Sequence, residues 1–382
     1  MGTVVAALIA ATALPLALAS STAAASPGAA SVRLAVGPTA LLTPSFGYTV
    51  AYRTVEHGDT AETRIGLFVY SGGRWRNATP RHLHGTAIDD VVFIDRQRGW
   101  LASYDCAEAA VYVYRTSDGG QSWRLLGKPA THSCGGGPTY LSFADATRGW
   151  MEPVSPNGPG GELLRTDDGG RTWSQIGSEV GSASLPCLAP IRFVSRTTGW
   201  MARCGADVFE SGDAGRHWHR IAIRVPSPRE RRNYDLPRFL GRRGAIAATL
   251  GRTTASSVAF ATSGDSGRSW SPPSVRRIAP CPLRPNFSPW PAFWPASVAS
   301  PHVWWIVAGR RKVLAQVTTD AGRDWRTVNA DGLPGSACAV RSVTAADGRV
   351  AWVIARVGSE FETALFATSD AGRTWRRVRL LG

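Results

Sequence analysis

Apolar residues in this chain come in short runs, several alternating with a period of two, as in Val111 to Arg115. The runs are closed by clusters of Gly, Asp, Ser and Pro, and the whole chain carries 41 Gly and 25 Pro in 382 residues. Short alternating runs between turn-formers predict many brief strands and no long helices, an all-β fold.

The pattern repeats. Thr116-Ser-Asp-Gly-Gly-Gln-Ser-Trp123 recurs in altered form as the segments ending at Trp173, Trp218, Trp270, Trp325 and Trp375, six copies of [S/T]-x-D-x-G-x-x-W. A degenerate seventh, Tyr70 to Trp75, keeps Gly and Trp but lacks the Asp. From Trp75 onward the Trp-to-Trp steps are 48, 50, 45, 52, 55 and 50 residues. A second motif runs in phase: Phe93 to Gly99-Trp100, Phe143 to Gly149-Trp150 and Phe193 to Gly199-Trp200, with fainter versions near Tyr48, Trp304 and Trp352. Each unit reads as four strands, which suits the blade of a propeller.

The recurring Asp118, Asp168, Asp213, Asp265, Asp320 and Asp370 are expected to build turns. An Asp side chain accepts bonds from the amides of its own turn, Gly takes up a backbone conformation that a Cβ disfavours, and Trp fills space between blades. A catalytic group is needed once, whereas this one occurs six times. Gly264-Asp-Ser-Gly267 imitates a serine-protease nucleophile segment, but its register makes Asp265 a turn residue and Ser266 a variable position.

These turns resemble the Asp-box, or BNR repeat, of sialidases, sortilin-type receptor domains, xyloglucanases and the photosystem II assembly and stability factor group. The paired motifs at about fifty-residue spacing are most similar to the last group and its bacterial relatives. That resemblance implies a seven-bladed, non-enzymatic propeller over about residues 41 to 382. It is less close to the enzymes: the sialidases' Arg-Ile-Pro segment is missing, and xyloglucanases use a cleft between two propellers where this chain has length for one.

Residues 1–25 have the anatomy of a secretory signal peptide, with an apolar run from Val4 to Ala19 and Ala-x-Ala sites, although no Lys or Arg precedes the run. Residues 26–40 then form a lead-in to one propeller domain over 41–382. Export makes the six cysteines candidates for disulfides, and the expected pairs are Cys106–Cys134, Cys187–Cys204 and Cys281–Cys338. Wide spacing and the lack of Cys-x-x-Cys argue against zinc, and no metal or cofactor is expected. The formal charge of +15 is nearly all arginine and spread along the chain, which argues against specific nucleic-acid binding.

With the aspartate turns and the first-to-second-strand turns on one face, the remaining loops share the other, here the top. The top collects Trp290, Phe293 and Trp294 between prolines, and Arg229, Arg231 and Arg232 in a basic segment, as candidate binding residues for an extracellular protein or glycan. The bland alternatives are a packing segment and a solvated loop. His57, His82, His84 and His132 map to top loops near Asp89, Asp90, Asp105 and Glu108, from which an acid/base site could be assembled. The expectation is a secreted, monomeric binding scaffold without catalysis, its rival an extracellular glycoside hydrolase using top-face carboxylates.

Overall fold

Each motif pair folds as a small antiparallel sheet, and the computed structural model contains seven of them. It describes residues 31–57, 60–131, 138–153, 163–176, 190–203, 207–223, 231–251, 254–282, 294–309, 312–335, 338–359 and 361–380. The expected signal peptide and Cys134, Cys187, Cys204, Arg229, Trp290 and Phe293 lie outside the described residues.

Blade 1 is β1 (Ser31–Thr43), β2 (Phe46–His57), β3 (Thr60–Ser71) and β4 (Arg74–Asn77). Blade 2 is β5 (Ala87–Phe93), β6 (Gly99–Asp105), β7 (Ala110–Thr116) and β8 (Arg124–Thr131). Blade 3 is β9 (Tyr140–Phe143), β10 (Gly149–Glu152), β11 (Leu164–Thr166) and β12 (Ser174–Gln175). Blade 4 is β13 (Ile191–Phe193), β14 (Gly199–Arg203), β15 (Asp207–Ser211) and β16 (His219–Ile221). In blade 5 the first strand is split into β17 (Arg231–Tyr234) and β18 (Arg238–Leu240), followed by β19 (Arg243–Gly251), β20 (Thr254–Ser263) and β21 (Ser274–Pro282). Blade 6 is β22 (Ala296–Val298), β23 (Trp304–Ala308), β24 (Leu314–Thr318) and β25 (Arg326–Asn329). Blade 7 is β26 (Val340–Ala345), β27 (Ala351–Arg356), β28 (Thr363–Thr368) and β29 (Arg376–Arg377).

First strands of neighbouring blades touch, β1 with β5, β5 with β9, β9 with β13, β22 with β26 and β26 with β1, so they line the axis of a closed seven-bladed propeller. Closure involves no shared strand, because every blade is built from consecutive strands. The ring shuts through Val36 N–H on Thr363 Oγ1 at 2.8 Å, and through Trp352, whose ring lies 4.8 Å from that of Trp75. The first strand starts at Ser31, ahead of the expected boundary at 41. Gly37 and Pro38 interrupt its alternation, and the ladder steps over them by a register shift between Val36 and Thr39.

The Phe-to-Gly-Trp motif has a steric explanation. Phe93, Phe143, Phe193 and Phe239 pair across the first hairpin with Gly99, Gly149, Gly199 and Gly244. Each Phe ring lies over its glycine, so a Cβ on Gly149 would fall 2.3 Å from the Phe143 ring. The Phe239–Gly244 pair escapes the sequence pattern because its hairpin is one residue shorter. Blades 6 and 7 have neither ring nor glycine at this pair, with Val298 opposite Trp304 and Ala345 opposite Ala351, whereas blade 1 keeps Gly47 opposite Leu41, where a Cβ would fall 2.6 Å from the Trp352 ring. The Trp after the glycine reaches the next blade. Trp100 stacks on Phe143 with centroids 3.7 Å apart, and Trp150 on Phe193 at 3.5 Å. Their indole N–H groups donate to Gly169 O at 2.9 Å and Ala214 O at 2.8 Å, in the aspartate turn of that next blade.

Seven buried clusters result, one per seam, the last joining Val36 and Leu41 to Trp352, Ile354 and Leu365. Blade 5 has Ala245 where a Trp would stand, and its seam with blade 6 is filled by Phe260 stacked on Trp304 at 4.8 Å. Both seams of blade 5 leave buried indole N–H groups without an acceptor, at Trp200 and Trp270 on one side and Trp304 and Trp325 on the other. Gly149→Ala should therefore cost about 2 kcal/mol in urea melts of the native protein, but under about 0.5 kcal/mol in a Phe143→Ala background. Equal costs in both backgrounds would remove the ring-over-glycine explanation.

Candidate functional site

The six aspartates share one geometry. In Thr166 to Trp173, Asp168 Oδ1 accepts from the Thr166 hydroxyl at 2.8 Å and from the amides of Arg171 and Thr172, while Oδ2 accepts from the Thr172 hydroxyl at 2.6 Å. The Thr166 hydroxyl in turn accepts from Gly170 N–H at 2.8 Å. Asp118, Asp213, Asp265, Asp320 and Asp370 accept likewise from the Ser or Thr two positions before them. The residue after each Asp is left-handed: Gly119, Gly169, Ala214, Ser266, Ala321 and Ala371 all have φ between 60° and 77°. Its amide donates to the first hairpin of the same blade, for example Gly169 to Thr147 O at 2.7 Å and Ser266 to Arg242 O at 2.8 Å. Even the degenerate turn of blade 1 keeps this link, through Gly72 and Ser45 O at 3.1 Å.

Partial burial pushes the carboxyls of Asp118, Asp168 and Asp370 up, but hydroxyl and amide donors outweigh it and hold them at about 2. These aspartates are spent on their own turns. Ser266, the serine of the protease-like segment, is the left-handed residue of such a turn.

A different set of polar groups lines the axis. Asp89 and Asp90 lie on β5, the innermost strand of blade 2, and not in a top loop as the sequence suggested. Alternation and a bulge between Ile88 and Asp90 carry them into the channel wall. Asp90 Oδ1 accepts from its neighbour Val91 at 2.8 Å and Oδ2 from Leu141 N–H of blade 3 at 2.9 Å, while Asp89 Oδ2 takes the Thr139 amide at 2.9 Å. Burial pushes the Asp90 carboxyl up to about 7, against the pull of its amide donors and with repulsion from Asp89 added. Arg192 of β13 donates to Leu236 and Pro237 carbonyls of blade 5, both at 3.3 Å. Burial, with the charge of Arg238, lowers its guanidinium to about 10. Tyr140 stands among Glu152, Asp90 and Asp89, and with burial they raise its hydroxyl.

On the top of blade 2, Tyr112 donates to Glu108 at 2.6 Å, Lys128 bonds the same carboxylate, and His84 stacks on the Tyr112 ring at 4.9 Å. His84 is thus a packing partner. Among the described residues no group of three or more His, Cys, Asp or Glu could hold a metal ion.

Of the candidate binding residues, Arg231, Arg232 and Trp294 are among the described residues. Arg231 and Arg232 were expected in a loop but belong to β17, pairing with Gly251 and Leu250, because the split at Pro237 lets two short strands share β19. Trp294 is half-buried and bridges to Ser342 of β26, its amide donating to Arg341 O at 2.7 Å and its carbonyl accepting from Val343 at 3.0 Å. Cys281 is disulfide-bonded to Cys338 with Cα atoms 5.6 Å apart, the expected pair. It belongs to the last strand of blade 5 and not to a segment leading into blade 6. Cys106 is also disulfide-bonded, its partner lying outside the described residues.

No family model matches the chain, and no curated protein does. Solved structures do. The chain is similar to YCF48 from Cyanidioschyzon merolae, at 18% identity over 79% of this chain and 88% of that one, with a TM-score of 0.51. It is also similar to YCF48 bound to D1 peptide, at 21% identity over 77% and 82% of the two chains and a TM-score of 0.48. The GH74 enzyme of Niastella koreensis aligns at 12% identity over 89% of this chain and 61% of that one, with a TM-score of 0.37. At these identities the likeness is one of fold.

Two outcomes follow from the two carboxylate environments. Replacing Asp168 by Ala should lower stability by about 1–3 kcal/mol, by stranding the hydroxyl and amides it serves. Because the turn carboxyls are depressed, their contribution is present above the unfolded value of 3.8 and is lost as pH falls towards 2, and acid melts should show it. Asp90 has the opposite sign. The folded state keeps its proton to about 7 while the unfolded chain releases it near 3.8, so stability declines as pH rises across that window. Asp90→Asn should remove this slope, so wild type should lose stability relative to the variant between pH 5 and pH 8 in urea melts.

Proposed function

We propose that this protein is a secreted, non-enzymatic Asp-box propeller that binds a protein or glycan partner on its top face. The observation that carries the reading is the double anchoring of the aromatic segment between blades 5 and 6. Cys281 at its start is stapled to Cys338, and Trp294 at its end is held by two backbone hydrogen bonds to β26. Proline limits the backbone choices of such a sequence and lowers the ordering cost of binding, and aromatic side chains suit a sugar face or a hydrophobic anchor. Arg231 and Arg232 start the inner strand of the adjacent blade, where charge would add selectivity. The apolar leader and the disulfide support export, and among the described residues no helix is long and apolar enough to cross a membrane.

The glycoside hydrolase reading is favoured by the placement of two carboxylates, Asp89 and Asp90, side by side on an inner strand, where burial raises the Asp90 carboxyl towards the range of a general acid. It needs a second carboxylate across the scissile bond. A panel of aryl glycosides and polysaccharides separates the two readings: turnover abolished by Asp90→Asn in a folded protein would replace the scaffold reading by the enzyme. For the scaffold, partners recovered from culture medium and cell-wall extract should bind the Trp290→Ala, Trp294→Ala double variant at least about tenfold more weakly, with little change in melting temperature. Unfolding would make these rings core, and normal binding would move the site elsewhere.

A further inference from the structure

Blade 1 departs from the others at its upper end. β2 and β3 are 12 residues each and stay paired from Phe46 opposite Ser71 out to His57 opposite Thr60. β1 follows β2 as far as Ser31 opposite Glu56, whereas β4 pairs only with Phe68 to Ser71. The outer edge of β3 from Thr60 to Ile65 therefore has no strand beside it among the described residues, and residues 60–64 are all exposed.

Leu67 fixes which backbone groups face outward. Its amide donates to Thr79 Oγ1 at 3.0 Å and its carbonyl accepts from Ala78 at 2.7 Å, both on the β4 side. Peptide groups alternate sides along a strand, so Ala61, Thr63 and Ile65 present their N–H and C=O groups to the same open side. Glu62 and Arg64 stand between them, ion-paired at 3.1 Å and well exposed. Arg64 also lies directly opposite Arg53, an unfavourable like-charge cross-strand pair.

We propose that this edge pairs antiparallel with the same edge of a second copy, about a two-fold axis through Thr63, in place of the monomer the sequence suggested. In that register Thr63 exchanges both hydrogen bonds with its symmetry mate, and Ala61 does so with Ile65 of the other copy. Glu62 then falls opposite Arg64 of the second copy in the closer, non-hydrogen-bonded position, twice by symmetry. Moving the axis to residue 62 or 64 would set like charges opposite each other, and moving it to 61 or 65 would separate the opposite ones. The charges that shield an open edge from indiscriminate pairing thereby select one register.

Sedimentation velocity of the mature protein from about 1 to about 500 µM in low salt tests this. Wild type should dimerise with concentration. Glu62→Arg alone and Arg64→Glu alone should each weaken the dimer by about tenfold or more, because each sets two like charges opposite each other. The double exchange Glu62→Arg, Arg64→Glu should restore it, and an equimolar mixture of the two single variants should form a heterodimer. Near-ultraviolet circular dichroism and melting temperature report folding, and all variants lie on the exposed edge. A wild type monomeric throughout, or a dimer indifferent to the exchanges, would overturn the proposal.

Discussion

A propeller whose blades are each four consecutive strands has to be held together almost entirely by side chains, and that constraint governs this molecule. Apart from isolated bridges between blades 6 and 7, hydrogen-bonded ladders stop at each blade boundary. The seams depend on large aromatic rings packed against their neighbours, and in blades 2 to 4 the backbone opposite the Phe ring carries no Cβ. Glycine beneath Phe143 and Trp100 above it are two sides of one packing requirement. Blade 7 gives up both ring and glycine in its Ala345–Ala351 pair, while blade 1 keeps Gly47 to make room for the Trp352 ring.

The same economy explains the aspartates. Each turn must reverse the chain at the rim, place a residue in the left-handed region and still satisfy its amides. One carboxylate bonded to a hydroxyl and two or more donors does this, and its proton affinity falls as a result. A carboxylate so engaged is poorly placed for proton transfer.

The axial groups show how one residue type takes opposite roles in one fold. Asp168 faces donors at a partly exposed rim and holds its proton weakly, whereas Asp90 sits deep in the ring beside another carboxylate and holds it to about 7. Both serve as staples, Asp168 within a turn and Asp90 between blades 2 and 3.

Much of the architecture was legible in the chain because it depends on local chemistry repeated in phase. Turn geometry follows from Asp, Gly and hydroxyl spacing, the strands from alternation, and the number of blades from the period. The Cys281–Cys338 link was also within reach, since it joins cysteines of adjacent repeat units. Other features depended on contacts between residues far apart. Nothing in the run around Asp89 and Asp90 distinguishes a loop from an inner strand, because the bulge that turns them to the axis is set by pairing with β6. Arg231 and Arg232 became strand residues because β19 is long enough to carry two partners, and the first strand of blade 1 starts at Ser31 because the twelve-residue β2 offers an edge out to Glu56. The candidate residues were visible only as a set of unusual residues, and the anchoring of Trp294 on blade 7 comes from pairing with β26, far along the chain. Local hydrogen bonding can be read from spacing, but which edge a strand finds is decided when the ring closes.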